Sequence, residues 1–237
     1  MECGLVFITP RMSAADYSEF YATGDYRETV SKYLPPKAPL EKCQANYAKS
    51  LCKVTQDTFG RWSGSSVLDI GGSTGVVAAA LRDEFGIIPT VLDLATSELE
   101  SASVKGIEAI CGSVDTFDPG KRRWDIITIL QSIDHFLDPR MALSKAREWM
   151  NPGGLLIVDI INFSARIIKD RFVESGCKID HPYGLTPSTM QAYLDQCGFA
   201  TIASGMAVDE NTCKVLFTCR RDLPRPGTTP DKKHVIK

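Results

Sequence analysis

Two carboxylates and a run of glycines are the residues whose spacing speaks first of chemistry. In Val67-Leu68-Asp69-Ile70-Gly71-Gly72-Ser73-Thr74-Gly75, three apolar residues and an acid end in a glycine-rich corner, and Val76-Val77-Ala78-Ala79-Ala80-Leu81 continues it with helical character. A strand that turns sharply into a helix exposes backbone N–H groups, and glycines let a ligand approach them closely. Asp69 stands just before the first glycine, where it can meet a positively charged ligand group. Asp93, in Val91-Leu92-Asp93-Leu94, follows Gly71 by 22 residues, at the expected end of the next strand. Ligands of open α/β sheets bind beyond the strands' C-terminal ends, and an acid there can accept hydrogen bonds from ribose hydroxyls. Alone, Asp93 reads as a cap of the following helix; with the glycine corner upstream, the ribose contact is the better reading.

These groups need a scaffold, and residues 63 to 219 show the alternation of a doubly wound α/β sheet. Expected strands are Ser66–Ile70, Thr90–Leu94, Glu108–Cys111, Asp125–Leu130 and Leu155–Ile160. One intervening helix is well punctuated. Asp138 can cap it, Pro139 fits its first turn, Ala142, Leu143, Ala146, Trp149 and Met150 share an apolar face, and Asn151-Pro152-Gly153-Gly154 stops it. Another begins at Thr186-Pro187 and ends at Gly198. Phe199–Gly205 and Thr212–Arg220 flank a polar turn around Asp209-Glu210-Asn211, too short for a helix, so they should pair antiparallel. The fold class expected is α/β: a Rossmann-like, doubly wound, mostly parallel seven-stranded sheet ending in an antiparallel hairpin, with an N-terminal helical cap. The cap is residues 1–62, with Tyr17, Phe20, Tyr21, Tyr26 and Tyr33 before Pro35-Pro36, then a helix from about Leu40 to Phe59. The main domain is 63–220, and 221–237, proline-rich and charged, reads as a disordered tail.

Asp69 and its glycines resemble motif I of the class I S-adenosylmethionine (SAM) methyltransferases: an acid, any residue, then three glycines at alternate positions. Ser73 stands where the middle glycine would be. Asp93 is similar to the ribose-binding acid of that family. In Ile110-Cys111-Gly112-Ser113-Val114-Asp115, Ser113 replaces the acid that many members use on the adenine amino group. Trp124 to Pro139, containing Leu130-Gln131-Ser132-Ile133-Asp134-His135, resembles the family's fourth strand and its histidine-containing sequel. The resemblance covers about residues 40–219 and is nearest the branch acting on small molecules. It implies SAM as cofactor, held by Asp69, Gly71, Gly72, Ser73, Gly75, Asp93 and Leu94, with Ser113 and Val114 at the adenine and Leu130 and Gln131 beside the methionine part. From the cap, Tyr26 or Arg27 is expected to touch it, Arg27 by pairing with the methionine carboxylate; the alternative reading of this segment is an amphipathic helix packed on the sheet. His135 either organises its loop or acts in catalysis.

Methyl transfer asks the protein to align two reactants and exclude water, and needs a general base only where the nucleophile must lose a proton. His181, in Asp180-His181-Pro182-Tyr183-Gly184-Leu185-Thr186 after the fifth strand, is the first candidate base. An unperturbed imidazole titrates at about 6.5, which suits that task. A loop histidine near a helix cap is the alternative reading. Asp159 ends the fifth strand, where it meets the acceptor or a helix start. Arg166, Lys169, Arg171 and Lys178 read as a solvated face.

Composition narrows the rivals. With 43% hydrophobic and 24% charged residues and a net charge of -2, the chain has no global field that recruits nucleic acid, and no nucleic-acid partner is expected. The eight cysteines include no Cys-x-x-Cys pair, so no metal site is expected from them. No apolar run has membrane-spanning length and no secretory signal is read, so a cytoplasmic setting without membrane attachment is expected. The competing nicotinamide fingerprint is Gly-x-Gly-x-x-Gly. Counted from Gly71 the chain has Ser73 and Val76 at its later glycines; counted from Gly72 it has Thr74 and Val77. Both registers fail, and Asp69 would repel a pyrophosphate. A NAD(P)-dependent oxidoreductase therefore ranks second, and Ser73 and Ser113 keep open a non-catalytic SAM-binding partner protein. The small-molecule acceptor and the oligomeric state are not legible.

Overall fold

The computed structural model describes residues 4–24, 26, 37–59, 61–171, 177, 179–206 and 213–221. Its elements begin with β1 (Val6–Phe7), α1 (Ala14–Ala22), α2 (Lys37–Phe59), β2 (Ser66–Ile70), α3 (Val76–Phe85), β3 (Ile88–Asp93), α4 (Thr96–Val104) and β4 (Glu108–Cys111). They continue with β5 (Trp124–Ile129), α5 (Pro139–Trp149), β6 (Met150–Ile161), α6 (Phe163–Asp170), β7 (Tyr183–Gly184), α7 (Pro187–Gln196), β8 (Phe199–Met206) and β9 (Lys214–Arg221). Seven strands form one sheet in the order β4-β3-β2-β5-β6-β9-β8. The first five are parallel, and β9 lies antiparallel between β6 and β8. This is the expected doubly wound sheet with a terminal hairpin.

Strands buried on both faces must be apolar throughout rather than alternating. Val67 and Leu68 of β2, Ile126, Ile127 and Ile129 of β5, and Leu155 to Val158 of β6 are all buried. On one face, Tyr47, Leu51 and Thr55 of α2 recur every fourth residue and pack beside Val77, Leu81 and Phe85 of α3. On the other, α5 buries Ala142, Leu143, Ala146 and Trp149. Asp138 caps α5 by accepting from the Met141 N–H at 2.9 Å, and Pro139 occupies its first turn.

The differences from expectation are at edges and at long range. β6 starts at Met150, so strand backbone runs through Asn151-Pro152-Gly153-Gly154. Pairing goes from Trp124–Met150 to Ile126–Leu155, and a bulge absorbs the extra residues. The N-terminal zone is not wholly helical: Val6 and Phe7 pair antiparallel with Gly184 and Tyr183, partners too distant in sequence to leave a local signal. α2 begins at Lys37 rather than Leu40, and Arg221, assigned to the tail, ends β9 and donates to the Met150 carbonyl at 2.5 Å. Arg27, Lys178, the turn at 209–211 and the tail from 222 lie outside the described residues. Among those described, no helix is long and apolar enough to cross a membrane.

Candidate active site

The C-terminal ends of β2, β3, β5 and β6 open into a cavity of about 610 Å³. Asp69, Gly71, Gly72, Ser73, Asp93, Leu94, Ser113, Val114, Leu130, Gln131, His135, His181 and Tyr26 all line it. Gly75 does not. A Cβ there would lie 2.8 Å from that of Ala102, so this glycine serves the close packing of α3 on α4. Arg166, Lys169 and Arg171 also stand away from the cavity, as a solvated face requires. Asp115 lines it two residues beyond Ser113.

The corner after β2 is tight for backbone reasons. Gly71 has φ +76°, and a Cβ on it would meet that of Ser132 at 2.7 Å; one on Gly72 would meet Asp69 Oδ2 at 2.6 Å. Ser73 adopts φ 52°, the left-handed region that favours glycine. Its N–H donates to Asp93 Oδ2 at 2.9 Å, while Asp93 Oδ1 accepts from the Ala95 N–H at 2.9 Å. Asp93 thus ties the corner to the start of α4 as well as facing the cavity. The Ser73 hydroxyl donates to Glu98 and accepts from the Gln44 amide at 3.2 Å, and the Tyr26 hydroxyl also donates to Glu98. Glu98 and Gln44 carried no motif in the sequence; Ser73, polar at a glycine position, is the signal that it has polar neighbours. Asp69 is 3% exposed and accepts from the Thr128 hydroxyl at 2.7 Å. Burial pushes its carboxyl up to about 7 against that hydrogen bond, and Asp93 and Asp159 push the same way.

The opposite wall gathers two histidines and two acids. His181 Nδ1 lies 3.0 Å from Asp134 Oδ2, and its ring centroid is 4.2 Å from that of His135. Burial opposes charge on Asp134, yet the His181 charge and hydrogen bond hold it well below the usual carboxylate range. The Tyr21 hydroxyl pairs with His135 Nδ1 at 2.6 Å, and the Tyr17 hydroxyl donates to the His135 carbonyl at 2.5 Å and the Asp180 carbonyl at 2.7 Å. Burial raises both phenols far above their ordinary range, so each keeps its proton as a donor. The Tyr21 hydroxyl and His135 Nδ1 share one hydrogen bond, and together with the Tyr17 bond to the His135 carbonyl it anchors α1 beside this histidine. Asp180 is buried, and its Oδ1 has no hydrogen-bond partner. Asp134, His135 and His181 place one ligand-type atom each within 4.8 Å of one another, a spacing that could hold a metal ion. That constellation was invisible in the sequence, where the two Asp-His dipeptides lie 46 residues apart.

A third group sits between these two. The Tyr47 hydroxyl donates to Asp159 Oδ2 at 2.7 Å, and the Gln131 N–H donates to Asp159 Oδ1 at 2.5 Å. Lys214 donates to the Gln131 side chain, and its Nζ lies 4.3 Å from the centre of the Tyr47 ring. Sequence reading missed Lys214. A cation opening the otherwise apolar Val215-Leu216-Phe217 run was its one signal.

A family model described as a methyltransferase domain matches residues 43–204. A ubiquinone biosynthesis O-methyltransferase of Azorhizobium caulinodans is 26% identical over 161 residues, 62% of this chain and 63% of that one. One from Bradyrhizobium diazoefficiens is 28% identical over 104 residues, 42% and 41% of the two chains. The chain thus spans roughly half the length of these curated relatives. Among solved structures, magnesium protoporphyrin IX methyltransferase from Synechocystis with bound SAH has a TM-score of 0.65 at 13% identity, covering 88% of this chain and 99% of its own. The N-methyltransferase NodS from Bradyrhizobium japonicum in complex with S-adenosyl-L-homocysteine gives 0.55 at 14%, covering 74% and 85%. Sheet order, glycine corner and family match agree: the chain belongs to the methyltransferase-domain family, on the fold of the class I SAM-dependent methyltransferases.

Proposed function

We propose that this protein transfers a methyl group from SAM to a hydroxyl oxygen of a small-molecule acceptor. One observation carries the reading: a single cavity joins the Asp69–Asp93 corner to a buried Asp134–His181 pair. The O-methyltransferase relatives support oxygen as the nucleophile.

The residues present fit the donor. Gly71 and Gly72 leave a cradle that any Cβ would fill, Asp93 faces the cavity where ribose hydroxyls would be met, and Leu94, Ser113 and Val114 offer a slot for the base. Asp69 and the backbone at Leu130–Gln131 receive the amino group. The bound donor supplies an electrophilic methyl on a positively charged sulfur. Everything else falls to this chain. Asp134 holds the Nδ1–H of His181, leaving Nε2 to take the proton of the acceptor hydroxyl, and the Asp134 carboxylate stabilises the imidazolium so formed. Tyr17, Tyr21 and Tyr26 wall the cavity and exclude water, with residues 1–62 acting as a cap on the 63–220 domain. The described cysteines are free thiols, in keeping with a reducing, cytoplasmic setting.

Calorimetry with S-adenosylhomocysteine, followed by transfer assays with labelled SAM over hydroxylated acceptors, tests this. Binding with turnover on a phenol or alcohol is expected. No heat with SAM or S-adenosylhomocysteine would overturn the cofactor assignment, and tight binding without turnover on any acceptor would overturn the catalytic one.

A further inference from the structure

We infer that Lys214 is the receptor for the α-carboxylate of the cofactor's amino-acid end, an inference that rests on the SAM reading above. The charge balance of the cavity wall comes first. Its described lining includes eight carboxylates, those of Asp69, Asp93, Glu98, Asp115, Asp134, Asp138, Asp159 and Asp180, and one lysine or arginine, Lys214. An amino-acid ligand must bring its own carboxylate into this acidic space. At the effective dielectric of a partly buried site, like charges in close contact repel more strongly than they do in water. Among the described lining residues, Lys214 alone of the lysines and arginines offers that carboxylate an opposite charge.

Connectivity gives the place. The ammonium and carboxylate of an amino acid share one carbon, so their receptors must be neighbours. The ammonium's proposed partners are Asp69 and the Leu130–Gln131 backbone, and Lys214 donates to the side chain of that same Gln131. The register of the hairpin puts it there: Lys214 pairs with Ile161, the last residue of β6, at the edge where the sheet's ligands bind.

The surroundings show a lysine fixed in position rather than one free to leave. It is 7% exposed, its Nζ rests over the Tyr47 ring, and Tyr47 is itself held by Asp159. Burying an ammonium is expensive unless it is paired and hydrogen-bonded, and a long flexible side chain ordinarily reaches for water. Here ring and carboxamide hold the amine at the cavity wall. The Asp159 charge also acts on this ammonium, and an arriving carboxylate exchanges the weaker carboxamide oxygen of Gln131 for a charge-assisted bond.

Ligand and protein can be trimmed at the same contact. In the wild-type protein, S-adenosyl-3-thiopropylamine, which is S-adenosylhomocysteine without its carboxylate, is expected to bind at least tenfold more weakly than S-adenosylhomocysteine. In Lys214→Met the two should bind alike, and Lys214→Arg should restore the preference. 5′-Methylthioadenosine, lacking the whole amino-acid end, should bind wild type and Lys214→Met equally and so reports on folding. Should Lys214→Met not fold, Lys214→Gln carries the same comparison. Equal affinity of the two ligands for wild type, or an undiminished preference in the folded variant, overturns the assignment; the latter is the result expected if Lys214 serves an anionic acceptor instead. If the wild type binds none of the three nucleosides, the SAM reading itself fails.

Discussion

The corner after β2 draws Asp69, Gly71, Gly72 and Ser73 from five consecutive residues, whereas the opposite wall collects its groups from three segments, Tyr17 standing 118 residues before His135 and 163 before Asp180. The first kind of site is written locally, because a strand-to-helix turn needs particular residue types in a fixed order. The second exists only after α1 and the loop before β7 have docked on the segment following β5. The difference has a functional counterpart. The corner offers backbone and carboxylates suited to holding a constant ligand, while the far wall offers a histidine–acid pair suited to moving a proton.

If that division is right, variants at the two ends must fail differently. The largest effect is expected at His181. His181→Gln should lower kcat by roughly 10²–10⁴, the usual worth of a positioned general base, while S-adenosylhomocysteine affinity stays within about twofold of wild type. Asp134→Asn should lower kcat in the same direction, since the imidazolium formed during the reaction loses its counter-charge. A loss confined to KM in both variants would leave His181 as a binding residue and remove the contrast.

At the corner the signature reverses. Asp93→Ala should weaken S-adenosylhomocysteine by at least about tenfold, since hydrogen bonds to a charged acceptor are worth about 1.5–3 kcal/mol. Asp93 also holds the Ser73 and Ala95 N–H groups, so part of this loss is expected to come from a loosened corner. Asp93→Asn, which keeps one of those acceptors, should fall between. A folded Asp93→Ala protein with wild-type affinity in calorimetry would sink the ribose assignment.

A subtler test uses Asp69, whose carboxyl burial raises from the ordinary 3.8 to about 7. A carboxyl with a raised folded-state pKa contributes stability that is fully present below the unfolded value and is lost as pH climbs through about 7. Binding should run the opposite way. A cationic amino group selects the ionised form, so affinity should rise about tenfold between pH 6 and pH 8, the change in ionised fraction across that pKa. Asp69→Asn should flatten this profile. A slope that survives in the variant would assign the proton to another group.

The same contrast explains how much could be read in advance. The succession of strands, the hairpin, the Asp138 cap and nearly the whole corner follow from periodicity, punctuation and one motif, each carried by a short stretch of sequence. Tyr17, Tyr21, Asp134 and Asp180 follow from none of these; each is an ordinary residue until tertiary packing supplies its partner. Lys214 is an intermediate case. A charge at the start of an apolar strand is visible as an anomaly, but the sequence does not say which charge answers it. β1 shows the limit from the other side: two residues acquire strand structure solely because β7 lies beside them.

Ser73 is where local rule and tertiary demand collide, and it gives the smallest and most discriminating expectation. A non-glycine residue at φ 52° costs on the order of 1–2 kcal/mol in backbone strain. Its hydroxyl bonds to Glu98 and Gln44 recover about 0.5–1.5 kcal/mol each, more for a charged partner, so strain and hydrogen bonding nearly cancel. Ser73→Gly removes both terms and should lie within about 1 kcal/mol of wild type, less what glycine adds to the freedom of the unfolded chain. Ser73→Ala keeps the strain and loses the bonds, so it should be the less stable of the two by about 1–2 kcal/mol, or roughly 2–8 °C in Tm for a chain of this size. Equal melting temperatures for the two variants would mean that the left-handed backbone carries no strain here, whereas a Ser73→Ala protein as stable as wild type would mean that the hydroxyl holds nothing, and that this serine is a tolerated departure from glycine rather than a strut between the corner and α4.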